Sequence, residues 1–402
     1  MDWSFLINDK SSLNVTTDSR KITDGCVFVA LKGENFDGNT FALQALQQGA
    51  SLAVVDDAEV YNAIQATGEY SALLVENSLL ALQDLAREWR RYLGTRIIGI
   101  TGTNGKTTTK ELLAAVLSTK FRTHYTQGNL NNSIGVPLTL LQLTREHELA
   151  IVEMGASHPG DIKELVEVCE PNFGLITNVG KAHLQGFGSF EGVMRTKAEL
   201  YDYLRAHGGF CFRNTDNPYL AQMAGDLKTV AYTTGKMPEG THLVGAYNSE
   251  NIQAALCVGE YFGVNREAGL AAIRAYVPSN NRSQRTITDK NTLIVDAYNA
   301  NPTSMTAAIN VFTGDTYILG AMRELGEYSH TEHQNIVNML LERKADNVLL
   351  VGDEYRETTA PYPIFANVDE LCEHLRLHPL TGCTILIKGS RSNQLEKALP
   401  LL

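Results

Sequence analysis

The sequence predicts an α/β protein of three domains: a small N-terminal α/β domain, a central domain with a mostly parallel sheet, and a C-terminal Rossmann-like α/β domain. Apolar runs of strand length alternate with amphipathic helical stretches along the whole chain, which is typical of α/β folds. The chain has 402 residues, which allows two to four domains at roughly 100–200 residues each. A helical stretch and a turn-rich break divide the runs into three groups.

The first group predicts the N-terminal domain, over residues 1–82. Three apolar runs have the length of strands, at 25–31, 51–55 and 71–75. The stretch 78–93 predicts a helix, because its apolar side chains repeat on one face; they are Leu79, Leu82, Leu85, Ala86 and Trp89. We expect this helix to lead into the second domain.

The second group predicts the central domain, over residues 83–278. Its five expected strands lie at 96–101, 149–153, 174–178, 209–213 and 229–232, and a pair of helices is expected at 248–276. The segment Pro278-Ser279-Asn280-Asn281 is rich in turn residues and marks the end of this unit.

The third group predicts the C-terminal domain, over residues 279–402. Its expected strands lie at 292–296, 316–319, 347–351 and 384–388, with helical stretches between them. This βαβ rhythm is the pattern of a Rossmann-like sheet.

The overall charge argues against a nucleic-acid-binding protein. Lys plus Arg number 34 and Asp plus Glu number 45, which gives a formal net charge of −11. Contacts to a phosphate backbone need a basic surface, which an acidic chain does not favour. A local basic pocket for a small anion remains compatible with this balance.

Location follows from the absence of targeting patterns. No apolar run approaches about 18 residues, so we expect no membrane insertion. The start of the sequence lacks a basic segment followed by a long apolar one, so we expect no secretion signal. The six cysteines form no CxxC pair, which indicates reduced thiols in a cytoplasmic protein.

The strongest local motif is a phosphate-binding loop between the run 96–101 and a helical stretch. Its residues are Thr101, Gly102, Thr103, Asn104, Gly105, Lys106, Thr107 and Thr108. Glycines let backbone N–H groups close around phosphates, and the following helix adds the positive end of its dipole. Lys106 would reach the outer phosphates and Thr107 would ligate Mg²⁺. The strict pattern is not met, because Ile100 stands where the first glycine belongs, and a glycine-rich turn with an incidental lysine is the alternative.

Two further residues follow predicted strands and could face the same crevice. Glu153 ends the run 149–153, and an acid at a strand end beside a phosphate loop commonly holds Mg²⁺. His183 follows the run 174–178. From the residues alone, an ordinary surface glutamate and a structural histidine are the competing interpretations.

These segments together resemble the Mur ligase family, whose members are ATP-dependent enzymes that form amide bonds in peptidoglycan synthesis. The resemblance rests on the loop 101–109, on Glu153-Met154-Gly155 and on the stretch from Asn178 to His183. Four further segments extend it over nearly the whole chain, namely 18–20 with 28–38, then 128–137, 296–305 and 388–391. They are most similar to the type that adds D-alanyl-D-alanine to UDP-N-acetylmuramoyl-tripeptide.

The resemblance implies a set of ATP and metal residues. Lys106 and Thr107 take the family's phosphate and Mg²⁺ roles, and Glu153 and His183 match its metal positions. Lys197 falls where the family has a lysine that is often carbamylated, although from the residues alone it would be a solvated helix lysine. The remaining implied ATP contacts are Asn248, Asn251, Arg282 and Asp296. ATP and Mg²⁺ are therefore expected.

The resemblance also implies substrate residues in all three domains, with the N-terminal domain binding the UDP-sugar and the C-terminal domain the dipeptide. Ser19 and Arg20 would contact the uracil or diphosphate, although Asp-Ser-Arg is also a plausible turn. The other expected contacts are Asn35, Asp37, Asn129, Asn132, Asn299, Asn301, Lys388, Ser390 and Arg391. We expect a monomer.

Three departures and two alternatives stay open. Tyr247 replaces a usual histidine, Ala321 replaces a usual acid, and the spacing leaves both Arg282 and Arg285 as candidates for one arginine. The first alternative is a related ligase that adds an earlier amino acid, or a folate-type polyglutamate ligase. The second is a regulatory or scaffold protein that uses ATP only as a switch.

Overall fold

Three α/β domains follow one another along the chain. The structure is a computed structural model that describes residues 1–243, 245, 247–278 and 284–402. Each domain is built on its own sheet, one of four strands and two of six.

The N-terminal domain has a parallel sheet in the order β1-β2-β5-β6 and a small antiparallel hairpin, β3-β4. Its strands are β1 (Val15–Thr16), β2 (Val27–Val29), β3 (Lys32–Gly33), β4 (Phe36–Asp37), β5 (Leu52–Val55) and β6 (Ala72–Leu74). Its helices are α1 (Ser4–Ile7), α2 (Ala42–Gln47), α3 (Ala58–Ala66) and α4 (Ser78–Leu93), with a 3₁₀ helix at Gly38–Phe41.

Helix α4 connects the first two domains. It begins after Asn77, whose side chain accepts a hydrogen bond from Leu80 N at 2.9 Å, and it ends at Gly94, whose φ of 67° only glycine adopts readily. Leu82, Leu85 and Trp89 are buried in one apolar cluster with residues of both domains. The two domains therefore share a continuous core.

The central domain has an entirely parallel sheet in the order β12-β11-β10-β7-β9-β8. Its strands are β7 (Arg96–Thr101), β8 (Thr123–Tyr125), β9 (Leu149–Glu153), β10 (Phe173–Ile176), β11 (Phe210–Asn214) and β12 (Thr229–Tyr232). Its helices are α5 (Lys106–Leu117), α6 (Gly135–Leu141), α7 (Asp161–Cys169), α8 (Leu184–Phe187), α9 (Phe190–Ala206), α10 (Pro218–Ala224), α11 (Asn248–Tyr261) and α12 (Arg266–Ala275). Because β7 pairs with β10 and β9, the loops after these three strands meet at one edge of the sheet.

The C-terminal domain has a sheet in the order β13-β14-β18-β15-β16-β17, parallel except for the edge strand β13. Its strands are β13 (Gln284–Ile287), β14 (Thr292–Asp296), β15 (Thr316–Gly320), β16 (Asn347–Val351), β17 (Ile364–Phe365) and β18 (Thr384–Lys388). Its helices are α13 (Pro302–Val311), α14 (Ser329–Glu342) and α15 (Val368–Leu377), and 3₁₀ turns lie at Gly326–Tyr328, Asp353–Glu357, Arg391–Asn393 and Leu395–Leu401.

The predicted elements agree with this architecture, and the differences lie in short edge strands. The predicted strands at 25–31 and 71–75 are shortened to β2 and β6, and the run at 174–178 becomes β10, which begins one residue earlier and ends two residues earlier. The strands β1, β8, β13 and β17 and the hairpin β3-β4 were not predicted. Each of them has four residues or fewer and none of these residues is buried, so they lack the apolar run of a buried strand. Within the described residues, no helix has the length and apolarity to cross a membrane.

Candidate functional site

A cleft of about 980 Å³ lies between the central and C-terminal domains. Most of the predicted ATP and metal residues line it, namely Thr103, Asn104, Gly105, Lys106, Thr107, Thr108, Glu153, His183, Asn248, Asn251 and Asp296. Four predicted substrate residues also line it: Asn129, Asn132, Asn299 and Lys388. The topology thus brings together side chains that are up to about 285 positions apart in sequence, from Thr103 to Lys388.

The phosphate loop connects β7 to α5 and is hydrogen-bonded to the loop after β10. Asn104 N donates to Asn178 Oδ1 at 2.9 Å, and Asn178 Nδ2 donates back to Asn104 O at 3.1 Å. Thr177 Oγ1 donates to the same carbonyl at 2.6 Å. Gly102 has a φ of 140°, and a Cβ there would collide with Thr177 Oγ1. The close approach of these two loops therefore requires glycine.

Lys106 is the first residue of α5 and lies against the loop that precedes it. Its Nζ donates to Gly102 O at 2.8 Å and to Thr103 O at 3.1 Å. This places an ammonium group beside the N-terminal end of α5, where the helix dipole and free N–H groups also favour an anion. The arrangement suits the phosphates of a nucleotide.

Glu153, at the end of β9, is buried beside the start of α5. Its Oε1 accepts hydrogen bonds from Thr107 Oγ1 at 3.1 Å and from Asn131 Nδ2 at 2.9 Å. Its Oε2 is buried and has no hydrogen-bond partner among the described residues, and Lys110 Nζ lies 3.8 Å from it. A buried carboxylate oxygen with a free lone pair next to a threonine hydroxyl fits one edge of a Mg²⁺ site.

The described residues contain no group of three or more His, Cys, Asp or Glu that could hold a metal ion. This is compatible with Mg²⁺, which proteins hold through one or two carboxylates while waters and nucleotide phosphates supply the other ligands. The residues present therefore fit a metal that arrives with a nucleotide.

His183 contacts the C-terminal domain. It has a left-handed backbone conformation with a φ of 49°, and its Nδ1 pairs with Glu324 Oε2. Burial lowers the pKa of the imidazole, and the charge of Lys106 lowers it further, while Glu324 opposes the change. His183 therefore lines the cleft at the point where two domains meet, and its partner Glu324 was not predicted.

Lys197 lies in the middle of α9 and is 2 % exposed, so it is not a solvated lysine. Burial lowers the pKa of its amine well below the usual value, and Lys106 lowers it further. Its Nζ lies 5.5 Å from the centre of the Phe187 ring, and within the described part of the chain it has no ion pair. A buried lysine of this kind carries a neutral amine more readily than an exposed one.

Two of the predicted ATP contacts, Asn248 and Asn251, lie in the first turn of α11. Asn251 Nδ2 donates to Asn248 Oδ1 at 2.9 Å, and Thr109 Oγ1 donates to Asn251 Oδ1 at 3.0 Å. These contacts fix the start of α11 against α5. Arg282 lies outside the described residues, while Arg285 is on β13.

The C-terminal domain contributes a buried ion pair to the cleft. Lys388 Nζ, at the end of β18, donates to Asp296 Oδ2 at 2.6 Å and to Asn299 O at 3.1 Å. Two other predicted residues lie nearby in sequence but do not line the cleft. Ser390 Oγ is buried without a hydrogen-bond partner in the part of the chain that the structure describes, and the Arg391 guanidinium lies 5.8 Å from the centre of the Tyr298 ring.

A polar junction joins the phosphate loop to the C-terminal domain. Asn301 Nδ2 donates to Asn104 Oδ1 at 2.8 Å, and Asn301 Oδ1 also caps α13 by accepting from Ser304 N at 2.9 Å. Lys181 N donates to Thr303 Oγ1 at 2.9 Å. Asn301 therefore acts as a domain contact here.

Asparagines in the segment after β8 also line the cleft. Asn132 Oδ1 accepts from Gly135 N at 2.8 Å and so caps α6. Asn129 is exposed in the cleft, and Asn131 between them bonds Glu153. Asn131 was not predicted as a site residue, although its position between two chosen amides could have indicated it.

The four predicted residues of the N-terminal domain do not line the cleft. Arg20 forms two hydrogen bonds with the Asp18 carboxylate through Nε at 2.9 Å and through a terminal nitrogen at 3.0 Å, and this pairing lowers the pKa of Asp18 to about 2. Ser19 lies between them, and Asn35 is exposed in the turn of the β3-β4 hairpin. Asp37 accepts from Asn39 N at 2.9 Å and so begins a 3₁₀ helix.

Family sequence models match three segments of the chain. The match described as "Mur ligase family, catalytic domain" covers residues 13–90. The "Mur ligase middle domain" covers residues 100–240, and the "Mur ligase, glutamate ligase domain" covers residues 281–391.

Two curated relatives are both named UDP-N-acetylmuramoyl-tripeptide–D-alanyl-D-alanine ligase. The Bacillus subtilis protein is 34 % identical over 95 % of this chain and 91 % of its own length. The Escherichia coli protein is 34 % identical over 96 % of this chain and 93 % of its own length.

Solved structures agree with this similarity. A MurF ligase from Thermotoga maritima in complex with ADP has a TM-score of 0.86 and 27 % identity, covering 98 % of both chains. A MurF structure from Acinetobacter baumannii has a TM-score of 0.84 and 30 % identity, covering 96 % of this chain and 92 % of its own. The identities and coverages show that this chain belongs to the Mur ligase family.

Proposed function

We propose that this chain is an ATP-dependent ligase of peptidoglycan precursor synthesis. It joins D-alanyl-D-alanine to UDP-N-acetylmuramoyl-tripeptide and releases ADP and phosphate. The observation that carries the proposal is the cleft in which a phosphate loop faces residues of the C-terminal domain. The name shared by the curated relatives, which span more than nine-tenths of this chain, favours the dipeptide-adding reaction over the related ligases.

The chemistry explains why a nucleotide is needed. A carboxylate is a poor electrophile, so direct attack by an amine at neutral pH does not form an amide. Attack of the tripeptide's terminal carboxylate on the γ-phosphorus of ATP gives an acyl phosphate and ADP. The amine of the dipeptide then attacks the acyl carbon, and phosphate leaves as the amide forms.

The residues of the phosphate loop position this transfer. Phosphoryl transfer depends mainly on alignment and charge neutralisation. Lys106 stabilises negative charge on the transferring phosphoryl group, and the N–H groups at the start of α5 orient it. Thr107 Oγ1 and Glu153 Oε1 lie 3.1 Å apart, close enough for both to bind the same metal ion.

We include Mg²⁺ in this proposal, held by Thr107, Glu153 and His183. When bound, Mg²⁺ would neutralise charge on the phosphate oxygens. Glu153 is suited to this because one of its oxygens is buried and accepts no hydrogen bond from any described residue. His183 is suited to it because its lowered pKa favours the neutral imidazole.

Lys197 fits the role of a carbamylated lysine. The neutral amine attacks CO₂ and forms an N-carboxylate with loss of one proton, and burial together with Lys106 favours that neutral form. The product is an anionic oxygen ligand in place of a cation. Lower pH should disfavour the modification, because protonation removes the attacking electron pair.

The C-terminal domain would protect the acyl phosphate from water. Asn301 and Thr303 reach the central domain across the cleft, while Asn299 and Lys388 face the space beside the phosphate loop. Closing these residues over the reacting groups excludes solvent and completes the site. We also propose that the protein acts as a monomer in the cytoplasm.

The test is a reconstitution with omissions. Product formation and phosphate release are measured with ATP, Mg²⁺, UDP-N-acetylmuramoyl-tripeptide and D-alanyl-D-alanine, and then with each left out. We expect one phosphate per product and no turnover without any single component. ATP hydrolysis that does not depend on the dipeptide, or no product with any UDP-tripeptide, would refute the ligase proposal and favour an ATP-dependent switch.

A further inference from the structure

Lys110 is a fully buried lysine directly behind the proposed metal position. It lies on the second turn of α5, four residues after Lys106 and three after Thr107, so it shares their side of the helix. The residue is 1 % exposed. A charged side chain is rarely buried so completely unless a specific partner compensates it.

Its surroundings identify that partner. Lys110 Nζ lies 3.8 Å from Glu153 Oε2 and 3.9 Å from Glu111 Oε1. Glu153 is itself buried, whereas the Glu111 side chain is 23 % exposed and also pairs with Tyr276. Of these two carboxylates, Glu153 is therefore the one that pairs with Lys110 away from solvent.

Lys110 and Glu153 differ in their access to the cleft. Glu153 lines it, whereas Lys110 is not among the described residues that do. Lys110 also lies 5.7 Å from the centre of the Tyr125 ring, on β8. Lys110 thus contacts the Glu153 carboxylate from outside the cleft lining, whereas a metal would reach this carboxylate through the cleft.

We propose that Lys110 makes divalent-metal binding at Glu153 dependent on a nucleotide. The inference rests on the proposed function and extends it to a residue given no role there. Without phosphates, the positive charge of Lys110 neutralises the negative charge of the Glu153 carboxylate. A divalent cation that enters the site then gains little electrostatic stabilisation. A nucleotide brings several negative charges to the other side of the metal. Their attraction for the cation outweighs its repulsion by the Lys110 ammonium.

The experiment measures Mn²⁺ binding to the full chain by the loss of the free-ion electron paramagnetic resonance signal, with and without ADP. ADP alone is titrated in parallel to subtract its own Mn²⁺ affinity. In the wild type we expect Mn²⁺ to bind at least about tenfold more tightly when ADP is present, an effect of the size common for coupled sites. Lys110→Met should strengthen binding without ADP about tenfold and reduce the coupling correspondingly.

Two variants separate charge from packing. Lys110→Arg keeps the charge and should retain the coupling, and Lys228→Met removes an exposed lysine of the same domain and should change nothing. Circular dichroism and thermal unfolding report whether each variant folds. If Lys110→Met does not fold, equal Mn²⁺ affinities in the wild type or lost coupling in Lys110→Arg would still overturn the inference.

The outcomes distinguish this inference from the proposed function. Equal Mn²⁺ affinity with and without ADP in the wild type, loss of coupling in Lys110→Arg, or unchanged coupling in folded Lys110→Met would each overturn the role of Lys110. Absence of any protein-bound Mn²⁺ in the presence of ADP would instead refute the metal site itself.

Discussion

The phosphate loop of the central domain and the Asp18–Arg20 turn of the N-terminal domain are both predicted ligand sites, but they are built differently. Contacts in the first join residues far apart in sequence, such as Thr107 with Glu153 and Asn104 with Asn301. Contacts in the second join neighbours, and the Arg20 side chain is 87 % exposed. Long-range contacts hold a site in place before any ligand arrives, whereas a local exposed turn can rearrange around one.

This difference predicts how strongly each region responds to substitution. In the central cleft a single change removes a charge from a preorganised, partly buried site, where electrostatic interactions are strong. In the N-terminal turn, water and a nearby carboxylate already compensate the charge. Effects should therefore decrease from the phosphate loop outward.

The largest effect is expected for Lys106→Ala. Removing the ammonium that faces the phosphates should lower kcat by about 10³-fold while the protein stays folded, because the Lys106 side chain bonds carbonyl groups of the adjacent loop. Product formation under saturating substrates measures it, with thermal unfolding as the control. Turnover close to the wild-type rate would remove the phosphate loop from the mechanism.

Lys197→Ala should lower activity by about 100-fold, a typical loss for a group that supports a metal site. If the buried amine is carbamylated, small carboxylates such as acetate should restore part of the activity. Carbon-13 NMR of the wild type in labelled bicarbonate should show the carbamate directly. A wild type without this signal would leave Lys197 as an uncharged buried amine and contradict the carbamate.

Gly180→Ala tests the contact between the central and C-terminal domains. A Cβ at this position would lie 2.6 Å from Thr303 Oγ1 across the junction, so closure should be hindered and kcat should fall about tenfold. The double variant Gly180→Ala/Thr303→Ala removes the clashing group and should recover most of that loss. If the effects of the two substitutions on kcat are simply additive in this double-mutant cycle, the clash does not limit turnover.

Arg20→Ala should have the smallest effect. Its guanidinium is exposed and paired with Asp18, so its loss should raise KM for the UDP-substrate by no more than about fivefold and leave kcat unchanged. Steady-state kinetics with varied UDP-substrate checks this, with Lys21→Ala as the neighbouring control. A large fall in kcat would mean that the turn is as preorganised as the phosphate loop.

The fold was largely predictable because most of its strands are buried and long enough to give a pattern. The run at 96–101 and the helix at 78–93 match β7 and α4 residue for residue. The edge strands β1, β8, β13 and β17 escaped prediction; β8, for example, has three residues and β17 only two. Their position depends on a neighbouring strand rather than on their own sequence.

The site was predictable where a motif has a local signature and not where chemistry depends on burial. The phosphate loop can be identified in the sequence from its glycines and its lysine. Lys110 and Lys197 read as ordinary helix lysines, and only the fold shows that both are buried. Glu324 could not be anticipated either, because its contact with His183 joins residues 141 positions apart.

Helix α4 bears on how relatives of this chain could be recombined. The predicted boundary between residues 82 and 83 lies inside this helix, whose buried face belongs to the cores on both sides of it. A chimera joined at that point would pair two halves of one helix from different parents and mismatch their packing. A crossover in the segment after α12 leaves that shared core intact, so parents could exchange C-terminal domains while the first two are inherited together.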